Sequence, residues 1–153
     1  MLLFLRLVLI FGLTVVAEFL LVLSTVLYMI LYSYLINPGH PKAFYEQHIN
    51  TAAPWLSLFC GVPIFFLLAT WLTRRAARLP VPTSSPRTSV IISAAVFWLL
   101  WAALDNSLML TAGGIDAIRA VFPLWAASQI TKPLAIWAAA HRRLRALPAQ
   151  TPQ

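Results

Sequence analysis

Apolar residues form four long blocks that are separated by short polar segments. The blocks run from Leu7 to Ile36, from Ala52 to Thr73, from Thr88 to Ala112 and from Ala117 to Ala140. Each block is long enough to cross the roughly 30 Å hydrocarbon layer of a bilayer, which takes about 20 helical residues. The pattern predicts one transmembrane domain over residues 1–153, an all-α integral membrane four-helix bundle with short loops between antiparallel neighbours.

The composition supports a membrane protein and excludes an ordinary water-soluble domain. The 153 residues are 61% hydrophobic and 10% charged, with a mean hydropathy of +0.83. Soluble domains contain about half apolar and about a quarter charged residues. The polar segments 37–51, 74–87 and 141–153 are too short to fold with a core of their own. Any function must therefore lie between the helices or on these loops.

The basic residues predict the orientation of the chain. Of eleven lysines and arginines, Lys132 lies inside a span, whereas Lys42 and Arg119 fall on one side of the predicted membrane. The other side holds Arg6, Arg74, Arg75, Arg78, Arg87, Arg142, Arg143 and Arg145. Because cytoplasmic loops are enriched in basic residues, both termini and the basic tail 141–153 are predicted to be cytoplasmic, in a bacterial inner membrane. The expected partner of these basic segments is anionic lipid, and no nucleic acid is expected.

Three ionisable side chains lie within predicted spans. Insertion of a charged side chain at the bilayer centre costs at least about 2.5 kcal/mol. We therefore expect these residues to face the interior of the bundle and to find partners there: Glu18, Asp105 and Lys132. Glu18 and Lys132 lie at similar depth from the cytoplasmic side, which predicts an ion pair between the first and fourth helices. Asp105 lies nearer the outer side, and its expected partner is Arg119 at the outer interface.

Helical spacing predicts that three helices share one polar interior, because residues three, four or seven apart lie on one face. The predicted inward residues are Thr14, Glu18, Thr25, Tyr28 and Tyr32 on the first helix, Trp98, Trp101 and Asp105 on the third, and Trp125, Gln129 and Lys132 on the fourth. Pro133 removes a hydrogen bond to the Gln129 carbonyl, which favours a polar or ion-binding niche there. The predicted intramembrane polar site is therefore Glu18, Asp105, Gln129 and Lys132.

The loops offer weaker chemistry, and no catalytic, cofactor-binding or metal site is predicted. His40, Glu46 and His48 match no zinc spacing, so residues 41–50 are expected to form a short interfacial helix. Gly113 and Gly114 predict a tight turn, with Asp116 as the N-cap of the fourth helix. Ser128 and Lys132 are four positions apart, the spacing that a serine–lysine hydrolase would need on one helix.

Three classes of function remain open from the sequence. The leading hypothesis is a non-enzymatic accessory or structural subunit of a membrane assembly, because the few polar groups can pair between helices. The alternative is a small proton- or ion-coupled transporter that acts as a homo-oligomer through Glu18, Asp105 and Lys132. A membrane hydrolase depends only on Ser128 and Lys132. The expected partners are the lipid bilayer and either other membrane subunits or a second copy of the chain.

Overall fold

The computed structural model describes residues 2–78 and 85–148, and its regular elements within these ranges are all helical. They are α1 (Leu2–Leu31), a π-helical segment (Tyr32–Ile36), α2 (Lys42–Arg78), α3 (Pro86–Ala120) and α4 (Phe122–Arg145). Three stretches are long and apolar enough to cross a membrane, namely Leu3–Ile36, Lys42–Arg78 and Pro86–Thr111. The all-helical class and the apolar character of these helices are as predicted.

The predicted fourth span, residues 117–140, differs from the observed helix. Helix α4 begins at Phe122, and it is absent from the membrane-spanning candidates found among the described residues. Its polar Gln129 and Lys132 and the arginines of its last turn lower its hydropathy. The predicted glycine turn is present as a break inside α3, where Gly114 has φ 65° and ψ −162°, a conformation that is essentially restricted to glycine. Asp116 follows this break within α3 and does not cap α4.

Helix α2 is longer than the predicted span 52–73 at both ends. Residues 42–50 are its first turns, so the separate interfacial helix expected over 41–50 is not formed. Pro54 and Pro63 both lie within the continuous helix. At the other end of the chain, residues 141–145 of the predicted basic tail continue α4, whereas residues 79–84 and 149–153 lie outside the described part.

Polar contacts near the helix ends define the directions of the helices. Arg6 Nη2 donates to the Ala76 carbonyl oxygen at 3.1 Å, while the Tyr28 hydroxyl lies 2.8 Å from His48 Nε2. The start of α1 therefore lies beside the end of α2, and the two helices are antiparallel. Arg87 Nη2 donates to the Leu147 carbonyl oxygen at 3.4 Å, so α3 and α4 are antiparallel as well. We call the end that carries these arginines the arginine end.

The core contains residues from all four helices, and α2 and α4, which run in the same direction, pack most extensively against each other. Small residues allow this close approach: Gly61 and Ala69 of α2 and Ala135 and Ala139 of α4 are buried. Larger apolar side chains complete the core, among them Ile10, Phe65, Leu72, Phe97, Trp101 and Ile136. Many other large apolar residues point outward, as expected for helices that face lipid.

Candidate functional site

Lys132 is buried completely, with 0% of its surface exposed. Its Nζ donates a hydrogen bond of 2.9 Å to the Ser57 hydroxyl oxygen on α2. The same nitrogen lies 4.9 Å from the ring centroid of Trp101 and 5.7 Å from that of Phe65. Aromatic faces attract cations electrostatically. The ammonium group is therefore held by one neutral hydroxyl and two aromatic rings.

Gly61 provides the space through which the Lys132 side chain passes along α2. A Cβ atom added at Gly61 would lie 2.6 Å from Lys132 Cε, well inside van der Waals contact, and 3.6 Å from Leu21 Cδ2. Ser57 lies one helical turn before Gly61, so the hydroxyl and the gap face the same side of α2. The two residues together set the position of the lysine side chain.

Asp105 and its neighbour Asn106 join α3 to α4 through two hydrogen bonds. Gln129 Nε2 donates to Asp105 Oδ2 at 2.8 Å, and the indole Nε1 of Trp125 donates to Asn106 Oδ1 at 3.2 Å. Lys132 interacts electrostatically with Asp105 and, more weakly, with Glu18. The four residues of the predicted polar site therefore do lie in one interior region.

Glu18 is the least satisfied member of this region. Its Oε1 atom is buried and forms no hydrogen bond to any residue in the described part of the chain. The Trp101 side chain interacts with the carboxylate, yet the buried indole Nε1 also forms no well-aligned hydrogen bond to a described residue. A buried polar atom without a partner costs about 1–3 kcal/mol, so native structures contain few of them. This carboxylate requires an explanation beyond helix packing.

A cavity of about 470 Å³ lies between all four helices, in the half of the molecule away from the arginine end. Its polar lining residues are Glu18, Thr25, Asn50, Ser57, Asp105, Trp125 and Ser128. The rest of the lining is apolar. Small-molecule sites have volumes of about 300–1,000 Å³ and combine an apolar lining with a few polar groups. Two carboxylates against one ammonium group leave an excess of one negative charge when all three are ionised.

The structure corrects both predicted ion pairs. Glu18 and Lys132 share a level, but they do not pair within 4.0 Å, because the lysine side chain passes along Gly61 toward Ser57. Arg119 does not reach Asp105. Its Nη1 pairs instead with Asp116 Oδ1 at 3.2 Å, three residues away on the same exposed helical segment.

Other residues of predicted interest have ordinary roles. Ser128 is buried beside the cavity, but Lys132 is bonded to Ser57, so the proposed serine–lysine dyad has no support in the geometry. Trp98 is 41% exposed and does not face the interior. In the first turns of α2, the His48 ring stacks on Tyr32 of the π-helical segment with centroids 3.8 Å apart, and Glu46 pairs with Lys42 at 3.1 Å.

Sequence reasoning missed the contribution of α2 to the site. Ser57, Gly61 and Phe65 surround the lysine, but none of them is ionisable or lies on a predicted seam. A usable signal was present, because small residues recur at intervals of four along α2, interrupted once by Phe65. The full series is Ala53, Ser57, Gly61, Phe65, Ala69 and Thr73. It matches the series Ala127, Thr131, Ala135 and Ala139 on α4.

Comparison with known protein families, with curated proteins and with solved structures found no match for this chain. The function is therefore argued from the chemistry of the cavity.

Proposed function

We propose that the chain is a small proton-coupled carrier that binds a cation in the 470 Å³ cavity. The observation that carries this proposal is that Glu18 and Asp105 line the same cavity, while Glu18 Oε1 has no hydrogen-bond partner among the described residues. Ionisable groups placed between membrane helices commonly mark ion pathways and proton relays. Because Glu18 Oε1 forms no hydrogen bond to a described residue and the side chain lines the cavity, the carboxylate can take up a proton or attract a cationic ligand.

The cavity favours an amphipathic cation over an anion or a fully hydrated ion. Two carboxylates supply the attraction, and Trp125 adds to the lining an aromatic side chain of the kind that attracts cations. The apolar residues of the lining, such as Leu21, Val22 and Leu124, would contact the hydrocarbon part of the ligand. Lys132 lies behind Ser57, where its charge would oppose the binding of a second cation.

The proposed architecture is a multi-pass four-helix bundle in the inner membrane with both termini in the cytoplasm. Its support is the distribution of charge: eight arginines belong to the arginine end, and Lys42 and Arg119 belong to the other end. The antiparallel helix directions agree with this topology. In this arrangement α4 crosses the bilayer with its polar residues turned toward the other helices.

The accessory-subunit hypothesis is the competing proposal, and the geometry supports it less well. It assumed that polar groups between the helices are satisfied by one another. Asp105 and Gln129 do pair in this way, but Glu18 Oε1 does not pair, and a cavity separates the helices beside it. The carrier hypothesis also includes a homo-oligomer, which is proposed from the sequence only.

Binding of tetrapropylammonium to the purified full chain tests the proposal. This ion has an apolar surface, a single positive charge and no exchangeable proton. Isothermal titration calorimetry should show that Glu18→Gln and Asp105→Asn each weaken binding by about tenfold or more, which corresponds to about 1.4 kcal/mol. The matched control is Glu46→Gln, which removes an exposed carboxylate outside the cavity and should change the affinity less than about twofold.

The pH dependence and the co-purifying proteins separate the two hypotheses. Binding should weaken as the pH is lowered, because a protonated carboxylate no longer attracts a cation. Proteoliposomes that contain the protein and a trapped pH-sensitive dye should report proton release from the vesicle interior when the cation is added outside. Absence of binding, together with a stoichiometric membrane protein partner after mild extraction, would instead favour the accessory subunit.

A further inference from the structure

A second cavity, of about 220 Å³, lies between α2 and α4 near the arginine end. Its polar lining consists of Thr70, Thr73, Arg74, Arg142 and Arg143, and two alanines complete it. The first three residues belong to α2 and the two others to the last turns of α4. Because these helices run in parallel and pack closely, their basic C-terminal turns converge on one space.

Two polar atoms at this cavity are buried and have no hydrogen-bond partner among the residues that the structure describes. They are the hydroxyl Oγ1 of Thr70 and the guanidinium Nε of Arg143. The neighbouring Thr73 hydroxyl already donates to the Ala69 carbonyl oxygen at 2.7 Å. Thr70 and Arg143 therefore hold two donors, one on each helix, that the described residues leave unsatisfied.

The charges around this cavity are not balanced by acidic side chains. The four acidic side chains of the sequence are Glu18, Glu46, Asp105 and Asp116, and none of them lines the cavity or belongs to the arginine end. The C-terminal ends of two helices contribute about half a negative charge each through their dipoles. Three guanidinium groups exceed that contribution, so the cavity is a site of net positive charge.

We propose that this cavity binds a phosphate group, with Arg143 and Thr70 as its direct donors and Arg74 and Arg142 as further positive charges. Guanidinium groups form short, charge-assisted hydrogen bonds to phosphate oxygens. In the proposed topology, the cavity lies at the cytoplasmic membrane surface, where basic pockets between helices accept anionic lipid head groups. The same donors would also hold a free phosphate ion. This inference is independent of the cation site, which lies in the other half of the molecule.

Native mass spectrometry of the full chain in mild detergent tests the lipid source, with phosphatidylglycerol as the added lipid. A parallel calorimetric titration with inorganic phosphate, on protein in phosphatidylcholine nanodiscs, tests the free ion. Arg143→Gln should weaken phosphate-group binding by about tenfold, since it removes a charged donor. Thr70→Val, which changes no charge and little volume, should weaken it about threefold.

The matched control is Arg145→Gln, which removes the same charge from an exposed position in the same helical turn but outside the cavity. Its binding should change less than about twofold. Unchanged melting temperatures of the variants would show that they are folded.

The two ligands then identify the source of the phosphate. Binding of phosphatidylglycerol with this variant pattern supports a lipid head group, and the same pattern with inorganic phosphate supports the free ion. Equal losses in Arg143→Gln and Arg145→Gln, an unaltered Thr70→Val protein, or no binding of either ligand would overturn the proposal.

Discussion

Lys132 illustrates how one residue on a neighbouring helix decides where a buried charge lies. The lysine was expected to pair with Glu18, because the two residues lie at the same depth. Instead, the absence of a side chain at Gly61 opens a path along α2, and the Ser57 hydroxyl accepts the hydrogen bond at its end. The two carboxylates remain near enough for electrostatic attraction, but they are free to line the cavity.

Substitution of Gly61 by alanine should therefore displace the lysine. The added Cβ would lie 2.6 Å from Lys132 Cε, so the end of the lysine side chain must shift, which disturbs its hydrogen bond to Ser57. We expect Gly61→Ala to lower the free energy of unfolding by about 1–3 kcal/mol, the usual cost of overpacking a core. Titration of the reconstituted protein with sodium dodecyl sulfate measures this change.

The matched control is Gly12→Ala, because an alanine Cβ at Gly12 meets no atom within 4 Å. It should be neutral or stabilise α1 by up to about 1 kcal/mol, as alanine is the better helix former. Equal effects of the two substitutions would contradict the packing of Lys132 against Gly61.

At the scale of elements, α3 and α4 are joined by polar bonds, whereas α2 and α4 are joined by close packing and by the bond from Lys132 to Ser57. The bonds from Gln129 to Asp105 and from Trp125 to Asn106 link the first pair. Periodic small residues let the second pair approach, as seen for Gly61 and Ala139. The cavity lies where neither hydrogen bonds nor close packing of small residues brings the helices together.

A double-mutant cycle should detect the Asp105 to Gln129 bond. We expect Asp105→Ala and Gln129→Ala to show a coupling free energy of about 0.5–1.5 kcal/mol, the range found for hydrogen bonds between membrane helices. The control cycle combines Gln129→Ala with Ser107→Ala, because the Ser107 hydroxyl bonds only within its own helix, to Ala103, in the described part of the chain. A coupling no larger than that of the control cycle would contradict the bond.

At the scale of the whole molecule, the separation of charge between the two ends predicts its orientation. In a Cys60→Ala background, Lys42→Cys should react with a membrane-impermeant maleimide on intact spheroplasts, because Lys42 is exposed at the end opposite the arginines. Arg145→Cys should react only after the membrane is opened. Labelling of both cysteines from outside would contradict the proposed topology, and labelling of Arg145→Cys alone would invert it.

The helical class and the main polar residues could be predicted because they depend on local properties. A run of apolar residues near Leu7–Ile36 must bury its backbone hydrogen bonds in helix, whatever its neighbours are. Likewise, a carboxylate such as Glu18 or Asp105 avoids lipid, so its inward direction follows from its own hydration free energy. Predicted helix ends were less accurate: α2 begins ten residues before the predicted Ala52, since Pro54 is tolerated within it.

The sequence by itself thus determined that the chain forms apolar helices, that Glu18, Asp105 and Lys132 face inward and where the basic residues lie. Only the tertiary structure decided the partners of those residues, because a partner depends on the distance between helices. That distance is set by the combined packing of α2 and α4, with Gly61 opposite Lys132. The same packing leaves Glu18 beside a cavity rather than beside the lysine, so the candidate function arises from spacing that no single helix encodes.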